Sequence, residues 1–180
     1  HSYCIKEGVF EGVEQLSGML REYVQKSVCG GRTMVRDNQK CCYTGPMEDF
    51  DEVSMYVGAA VKILGYLMGK AKNFTPEQLA DRTLLDARMK EVSGYHCKIL
   101  ITKVGKTCSI PLLNRLNENG GRHYTNEMLS FHMYVDKTTL EDLVEFHKIE
   151  YEVVNGIYFN EGFNPTINRV QQGLFDARLK

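Results

Sequence analysis

Hydrophobic positions along this chain fall into short runs whose period changes from one segment to the next. Val9, Val13, Leu16, Leu20 and Val24 recur at spacings of three and four, which predicts a helix over residues 9–28. Gly12 and Gly18 lie within it, and each weakens a helix by about 1 kcal/mol relative to alanine. Gly30-Gly31 breaks the chain. Residues 33–36 and 40–43 fit a short hairpin around Asp37-Asn38, Gly45-Pro46 a turn, and residues 47–53 a strand. A helical run follows, with Tyr56, Ala60, Ile63 and Leu67 on one face.

Thr75 is placed as an N-cap, with Pro76 as first helical residue. Tyr95, Cys97, Ile99 and Ile101 alternate with His96, Lys98 and Leu100, the signature of a half-buried strand. Residues 117–122 read as a Gly/Asn turn and residues 133–135 as a short strand. Thr138-Thr139-Leu140-Glu141 matches a capping box that opens a helix to about Phe146. Residues 149–154 and 157–159 read as two strands joined by a type I′ turn at Asn155-Gly156. Asn164 caps the last helix with Pro165 at its first position, and Ile167, Val170 and Leu174 form its apolar stripe. Strands linked by short turns as often as by helices give an α+β class with an antiparallel sheet.

Composition narrows the options. The chain has 180 residues, 43% hydrophobic and 25% charged, with a net charge of −1. Those values exclude a disordered charged tail, a collagenous fibre and a disulfide-dense miniprotein. No apolar run spans a bilayer, and no basic-then-apolar leader opens the chain. The first residue is His1 and Lys180 falls within a helical pattern, so a piece of a longer protein is expected. Cys4, Cys29, Cys41, Cys42, Cys97 and Cys108 form no CxxC pair, and reduced, mostly buried thiols are expected. His96, Cys97 and Cys108 could supply three metal ligands, but adjacent strand residues face opposite ways.

Charge is unevenly spread. Residues 1–61 carry 6 basic and 9 acidic side chains, residues 62–106 carry 9 and 4, and residues 107–180 carry 7 and 10. A basic middle of net +5 can meet a polyanion, or can be a lysine-rich solvated surface. The densest acidic cluster is Glu48-Asp49-Phe50-Asp51-Glu52. On a strand, Asp49 and Asp51 share one face, and two carboxylates there can hold Mg²⁺. The plainer alternative is a solvated strand end. His132 and His147 have no paired nucleophile, and residues 159–163 read as a turn with packing aromatics.

The residues after the acidic cluster change that balance. Asp51-Glu52-Val53-Ser54-Met55-Tyr56-Val57-Gly58 resembles motif A of family B DNA polymerases, D-x-x-S-L-Y-P-S. Gly30-Gly31-Arg32 resembles the glycine motif that joins exonuclease and polymerase regions. Asn164-Pro165, Leu174-Phe175 and Arg178 resemble the helix leading into the fingers. The order and spacing of these motifs, over essentially the whole chain, resemble the protein-primed type found in viruses, phages, mitochondrial plasmids and self-synthesising transposons.

The resemblance implies a partial palm with an antiparallel sheet, helices and a terminal-protein-region-like insertion. Residues 1–61 would be early palm with the glycine motif and motif A, residues 62–155 the insertion, and residues 156–180 a return to palm and the start of the fingers helix. Asp51 would be the catalytic metal ligand, with Mg²⁺ as the cofactor of the parental enzyme. Ser54, Met55, Tyr56 and Arg178 would bind nucleotide, with Tyr56 rejecting a 2′-OH and Arg178 gripping the triphosphate. Gly30, Gly31 and Arg32 would approach the template. Implied partners are DNA or another nucleic acid, the remaining polymerase segments and a terminal protein, at a viral, plasmid or mitochondrial replication site.

The departures point elsewhere. Val57 and Gly58 replace the expected Pro and Ser, Met55 replaces Leu, and Val28 replaces a tyrosine that often begins the glycine motif. The K-x-x-x-N-S-x-Y-G helix and the D-T-D strand are not in the sequence. Two-metal nucleotidyl transfer needs both palm carboxylates, so the isolated chain is expected to be inactive. The alternative is a polymerase-derived relic serving as a non-catalytic structural or nucleic-acid-binding subunit among the neighbouring subunits of a larger assembly, an organellar one being one home for it. A third reading is a binding module with coincidental motif matches.

Overall fold

The computed structural model describes residues 2–29, 42–48, 55–119, 121–127 and 130–178. In chain order the elements are α1 (Ser2–Lys6), α2 (Gly18–Gln25), α3 (Met55–Lys62), β1 (Tyr66–Leu67), β2 (Lys72–Asn73), α4 (Pro76–Ala80) and α5 (Arg82–Glu91). There follow β3 (Gly94–Val104), β4 (Asn114–Leu116), β5 (Arg122–Tyr124), β6 (Phe131–Asp136), α6 (Lys137–Asp142), a π turn (Leu143–His147), β7 (Ile149–Phe159), β8 (Phe163–Asn164) and α7 (Thr166–Arg178). The mixture of helices and antiparallel strand pairs is α+β. Two compact units divide the chain: residues 1–15, 41–71 and 159–180 form unit 1, and residues 16–40 and 72–158 form unit 2.

Unit 2 is organised by a four-stranded sheet of order β2-β7-β3-β6. β3 pairs antiparallel with β6, setting Cys97 opposite Val135, Ile99 opposite Met133 and Ile101 opposite Phe131. These residues share one face, as the strand period of two requires, and all are buried. Leu85 and Met89 of α5, Leu140 of α6 and Leu143 of the π turn close over them into one apolar cluster. Local signals set the helix starts. The Thr75 hydroxyl accepts from the Gln78 N–H while the Gln78 side chain accepts from the Thr75 N–H, a capping box just before Pro76. Asp81 Oδ1 then accepts from the Thr83 and Leu84 N–H groups at the head of α5.

Two expected elements of unit 2 take another form. Asn155-Gly156 is not a turn: β7 runs unbroken through both residues. A Cβ at position 156 would lie 2.7 Å from Cys97 Sγ and 2.9 Å from the His96 carbonyl. Glycine therefore serves close strand approach here rather than chain reversal. The expected box at residues 138–141 is also displaced. Asp136 is the N-cap, its carboxylate accepting from the Thr139 N–H, and Thr138 lies inside the helix. The remainder of the expected helix widens into the π turn and ends at Lys148, whose φ of 52° is left-handed.

In unit 1 the predicted helix over residues 9–28 is not continuous. Residues 7–12 form turns, Val13 makes a parallel bridge to Gly69, and helix returns only at Gly18 in unit 2. Gly12 takes φ 70°, a left-handed conformation that a helix cannot continue through. Leu67 leaves the expected helical face and lies in β1, paired with Phe163 of β8. α7 buries Ile167 and Val170 against Val9, but Leu174 is exposed, so its stripe is shorter than expected. Asn164 fulfils its capping role, its side-chain oxygen accepting from the Thr166 N–H. Met47 and Glu48, like Cys42 and Tyr43, carry no regular structure; the rest of the expected 47–53 strand and of the hairpin around Asp37-Asn38 lies outside the described residues.

Candidate functional site

α3 begins directly after the acidic cluster, and it packs along α7 within unit 1. One side chain fixes the pairing. The Asn168 carboxamide, in the first turn of α7, donates to the carbonyls of Ala60, Val61 (3.0 Å) and Ile63 at the end of α3. These are carbonyls that a helix C-terminus leaves without intrahelical donors. The end of α3 is thereby held at the start of α7, and the two helices pack on one another.

The first turn of α3 carries Met55 and Tyr56, and the last turn of α7 carries Arg178. Tyr56 is 77% exposed, Met55 49% exposed, and Arg178 also lies at the surface. The half-buried positions of α3 are Val57, Ala60 and Val61. The packed stripe is thus displaced by one residue from the expected Tyr56, Ala60 and Ile63 face. Val57 takes the inward position and Tyr56 turns outward. Gly58 also faces open space, with no atom within 4 Å of where a Cβ would stand.

Asp51 and Ser54 lie outside the described residues, as do Gly30, Gly31, Arg32 and Asp49. Among the described residues no three His, Cys, Asp or Glu side chains form a group able to hold a metal. His96 and Cys97 face opposite sides of β3, and Cys97 is fully buried. Burial pushes the Cys97 thiol up to about 12. The cysteines are less buried than expected: of the five described, all free thiols, only Cys97 is buried, while Cys29 and Cys42 are exposed. No described helix is long and apolar enough to cross a membrane.

The basic middle of the chain is partly neutralised in place. Arg82 pairs with Asp86 at 2.9 Å, Arg88 with Glu91 at 2.8 Å and Lys103 with Glu150 at 2.7 Å. A groove of about 550 Å³ over the helical side of the sheet mixes Arg82, Lys90, Lys137 and Lys148 with Asp86, Glu141 and Glu145.

The opposite side of the sheet holds contacts with no local sequence signal. Tyr23 of α2 donates its hydroxyl to the Asn155 carboxamide oxygen (2.8 Å) and accepts from the Lys98 N–H (2.9 Å). Burial raises the phenol pKa. The Ser27 hydroxyl donates to the Val24 carbonyl, and its oxygen meets His96 Nδ1 at 2.7 Å. Ser27 has a single proton, so the imidazole N–H sits on Nδ1. Burial lowers the His96 pKa, against the pull of Asp136 across the strand. Ser27 is only 2% exposed and its proton is committed, so the pair is a structural tie rather than a nucleophile and base. His147 is likewise structural: its Nε2 accepts from the Leu112 N–H (2.9 Å) and its Nδ1 meets the Lys106 carbonyl (3.0 Å).

Comparison with protein-family models, with curated proteins and with solved structures returns no match for this chain.

Proposed function

We propose that the chain is a segment of a protein-primed family B DNA polymerase, contributing early palm, a terminal-protein-region-like insertion and the start of the fingers. The observation that carries the reading is the ordered set of motifs, from Gly30-Gly31-Arg32 through Asp51 to Tyr56 and on to Arg178. Its structural support is the α3–α7 pair, which draws two motif-bearing helices, distant in sequence, into one unit and leaves Tyr56 and Arg178 exposed. On this reading Tyr56 lies beneath the sugar, Arg178 meets the triphosphate, and Asp51 is one of two carboxylates that hold Mg²⁺. The second carboxylate belongs to the D-T-D strand, which is not in this sequence. The chain alone therefore does not polymerise.

A second reading, a polymerase-derived relic acting as a non-catalytic subunit, is favoured by one observation. Val57, in place of the family's proline, is a half-buried residue inside α3, and Gly58 follows it inside the helix. Sequencing the source reading frame past Lys180 separates the two. The polymerase reading expects K-x-x-x-N-S-x-Y-G and then D-T-D in frame. A frame that closes without them, with the chain recovered in a complex burying well over about 1,000 Å² of surface, establishes the relic instead.

A further inference from the structure

β6 is an outer strand of its sheet and pairs with β3 on one side only. The direction of its backbone groups follows from Tyr23. The Tyr23 hydroxyl accepts from the Lys98 N–H and lies 3.2 Å from the Asn155 carbonyl oxygen on β7, so the backbone of Lys98 faces β7. Tyr134 sits opposite Lys98 in the register, and this pair therefore exchanges no bonds between β3 and β6. Strand alternation then turns the backbone of Phe131, Met133 and Val135 toward β3 and the N–H and C=O groups of His132 and Tyr134 out of the sheet. Among the described residues these outward groups have no hydrogen-bond partner.

A cavity of about 220 Å³ lies against β6, with Arg115, Leu116 and Arg122 of the β4–β5 hairpin on one wall and residues 131–134 on the other. Its lining holds two arginines and no carboxylate. Arg122 is tied in place, donating to Asn114 Oδ1 (2.5 Å) and to the carbonyls of Lys26 (2.5 Å) and Val28 (2.9 Å). Arg115 stacks its guanidinium over Phe131 at 4.6 Å, yet its Nε and Nη2 are buried without a hydrogen-bond partner. Glu127 approaches Nη2 at 3.5 Å without satisfying it. Buried N–H donors left unmet are costly, and a carboxylate brought into the cavity satisfies them. Lys26 and Lys98 add positive charge at the same edge, their ammonium groups 5.3 and 5.9 Å from the centroid of the Tyr134 ring.

We propose that the β6 edge takes an extended acidic peptide of a partner protein as an added strand, its backbone pairing with His132 and Tyr134 and one of its carboxylates reaching Arg115. Alternate residues of a strand are about 6.8 Å apart, so an extended peptide presents its own N–H and C=O groups at the interval that His132 and Tyr134 set. The charge around the edge selects the occupant. A second copy of this chain would bring its own Lys26, Arg115 and Arg122 against these and be repelled. A nucleic acid strand lacks the row of paired donors and acceptors that a strand edge matches. The Tyr134 ring is moreover already covered by Lys26, Lys98 and Tyr23, so no base stacks on it. The groove on the helical side, where cations and carboxylates alternate, offers no such field. The inference rests on unit 2 and uses none of Asp51, Tyr56 or Arg178, so it stands or falls separately from the polymerase reading.

The probe is a fluorescently labelled peptide of four glutamate–valine repeats with blocked ends, titrated with the 180-residue chain and followed by anisotropy and by residue-resolved amide exchange. In the free chain the amides of His132 and Tyr134 should exchange quickly while those of Met133 and Val135 are protected. Saturation with the probe should protect all four. A peptide of four glutamate–proline repeats carries the same charge but lacks the ladder donors, and it should bind at least about tenfold more weakly. Arg115→Gln should weaken binding of the glutamate–valine probe about tenfold or more, because its charge-assisted bonds to the guest carboxylate are lost. Lys90→Glu, in the helical-side groove, should bind as the parent does, and near-UV circular dichroism checks that each variant is folded. No binding of the glutamate–valine probe, equal binding of the two acidic peptides, or His132 and Tyr134 amides that stay unprotected at saturation would each overturn the proposal. So would a folded Arg115→Gln that binds like the parent, an oligothymidylate that displaces the probe at equal or lower concentration, or a sedimenting dimer in which those amides are already protected.

Discussion

Unit 2 is held by burial, whereas unit 1 is held to a much greater degree by two asparagine side chains. In unit 2 a contiguous apolar cluster runs from α5 across β3 and β6 to α6. Among the described residues of unit 1 the buried cluster is Val9, Ile167 and Val170, with Cys4 packed against it. Asn164 donates there to the carbonyls of Gly8 (2.9 Å), Val9 (3.3 Å) and Glu11 (2.9 Å), while Asn168 closes the end of α3. A carboxamide that satisfies several carbonyls can organise irregular backbone where too few apolar residues converge to do so. The difference teaches that the two units answer to different substitutions.

The largest effect is expected at the centre of the burial-held unit. Ile99→Ala removes a fully buried side chain facing Met133 and should cost about 3–4 kcal/mol, read as a lower urea midpoint and lost amide-exchange protection in β3 and β6. Asn164→Ala tests the other unit. Depriving three carbonyls of their donor should cost about 2–3 kcal/mol and expose the amides of residues 7–13 to exchange. If Asn164→Ala leaves exchange there unchanged, the contrast between the units fails. Gly156→Ala forces a methyl to within 2.7 Å of Cys97 Sγ and should cost about 2 kcal/mol, where an ordinary exposed strand glycine would gain from alanine.

The smallest effect is a pH dependence. His96 has a folded pKa below its unfolded value of 6.5, so the unfolded chain binds the proton more readily. Stability from this group is complete above pH 6.5 and is lost as pH falls from there through the folded pKa. His96→Asn keeps a donor for Ser27 without titrating. Its urea midpoint should therefore fall less than the parent's between pH 6.5 and 5. Equal slopes for the two proteins would remove the buried imidazole from the account.

The same contrast explains what the sequence made legible. Alternation at Tyr95, Cys97, Ile99 and Ile101 located β3 and its buried face, and Thr75-Pro76 located the start of α4, because each is a local pattern with a direct physical cause. Asn155-Gly156 misled because a glycine required for close approach to Cys97 looks, in sequence, like a glycine required for a turn. The displaced stripe of α3, with Val57 inward and Tyr56 outward, depends on where α7 lies, and no short-range period carries that. The two lysines over the Tyr134 ring come from separate elements, Lys26 just after α2 and Lys98 on β3; only Lys98, on the non-core phase of β3, had a local signal. Asp51, Ser54 and Gly30-Gly31-Arg32 stand out in the sequence only by their resemblance to motifs, and they lie outside the described structure.

The most direct test of the polymerase reading uses the protein expressed from its complete reading frame. Template-dependent nucleotide incorporation with Mg²⁺ is measured for the parent, for Asp51→Asn and for Tyr56→Ala. The account predicts incorporation that Asp51→Asn lowers by about a thousandfold or more, and that Tyr56→Ala extends from deoxynucleotides to ribonucleotides. Incorporation that Asp51→Asn leaves unchanged, or no incorporation by the parent, would contradict it.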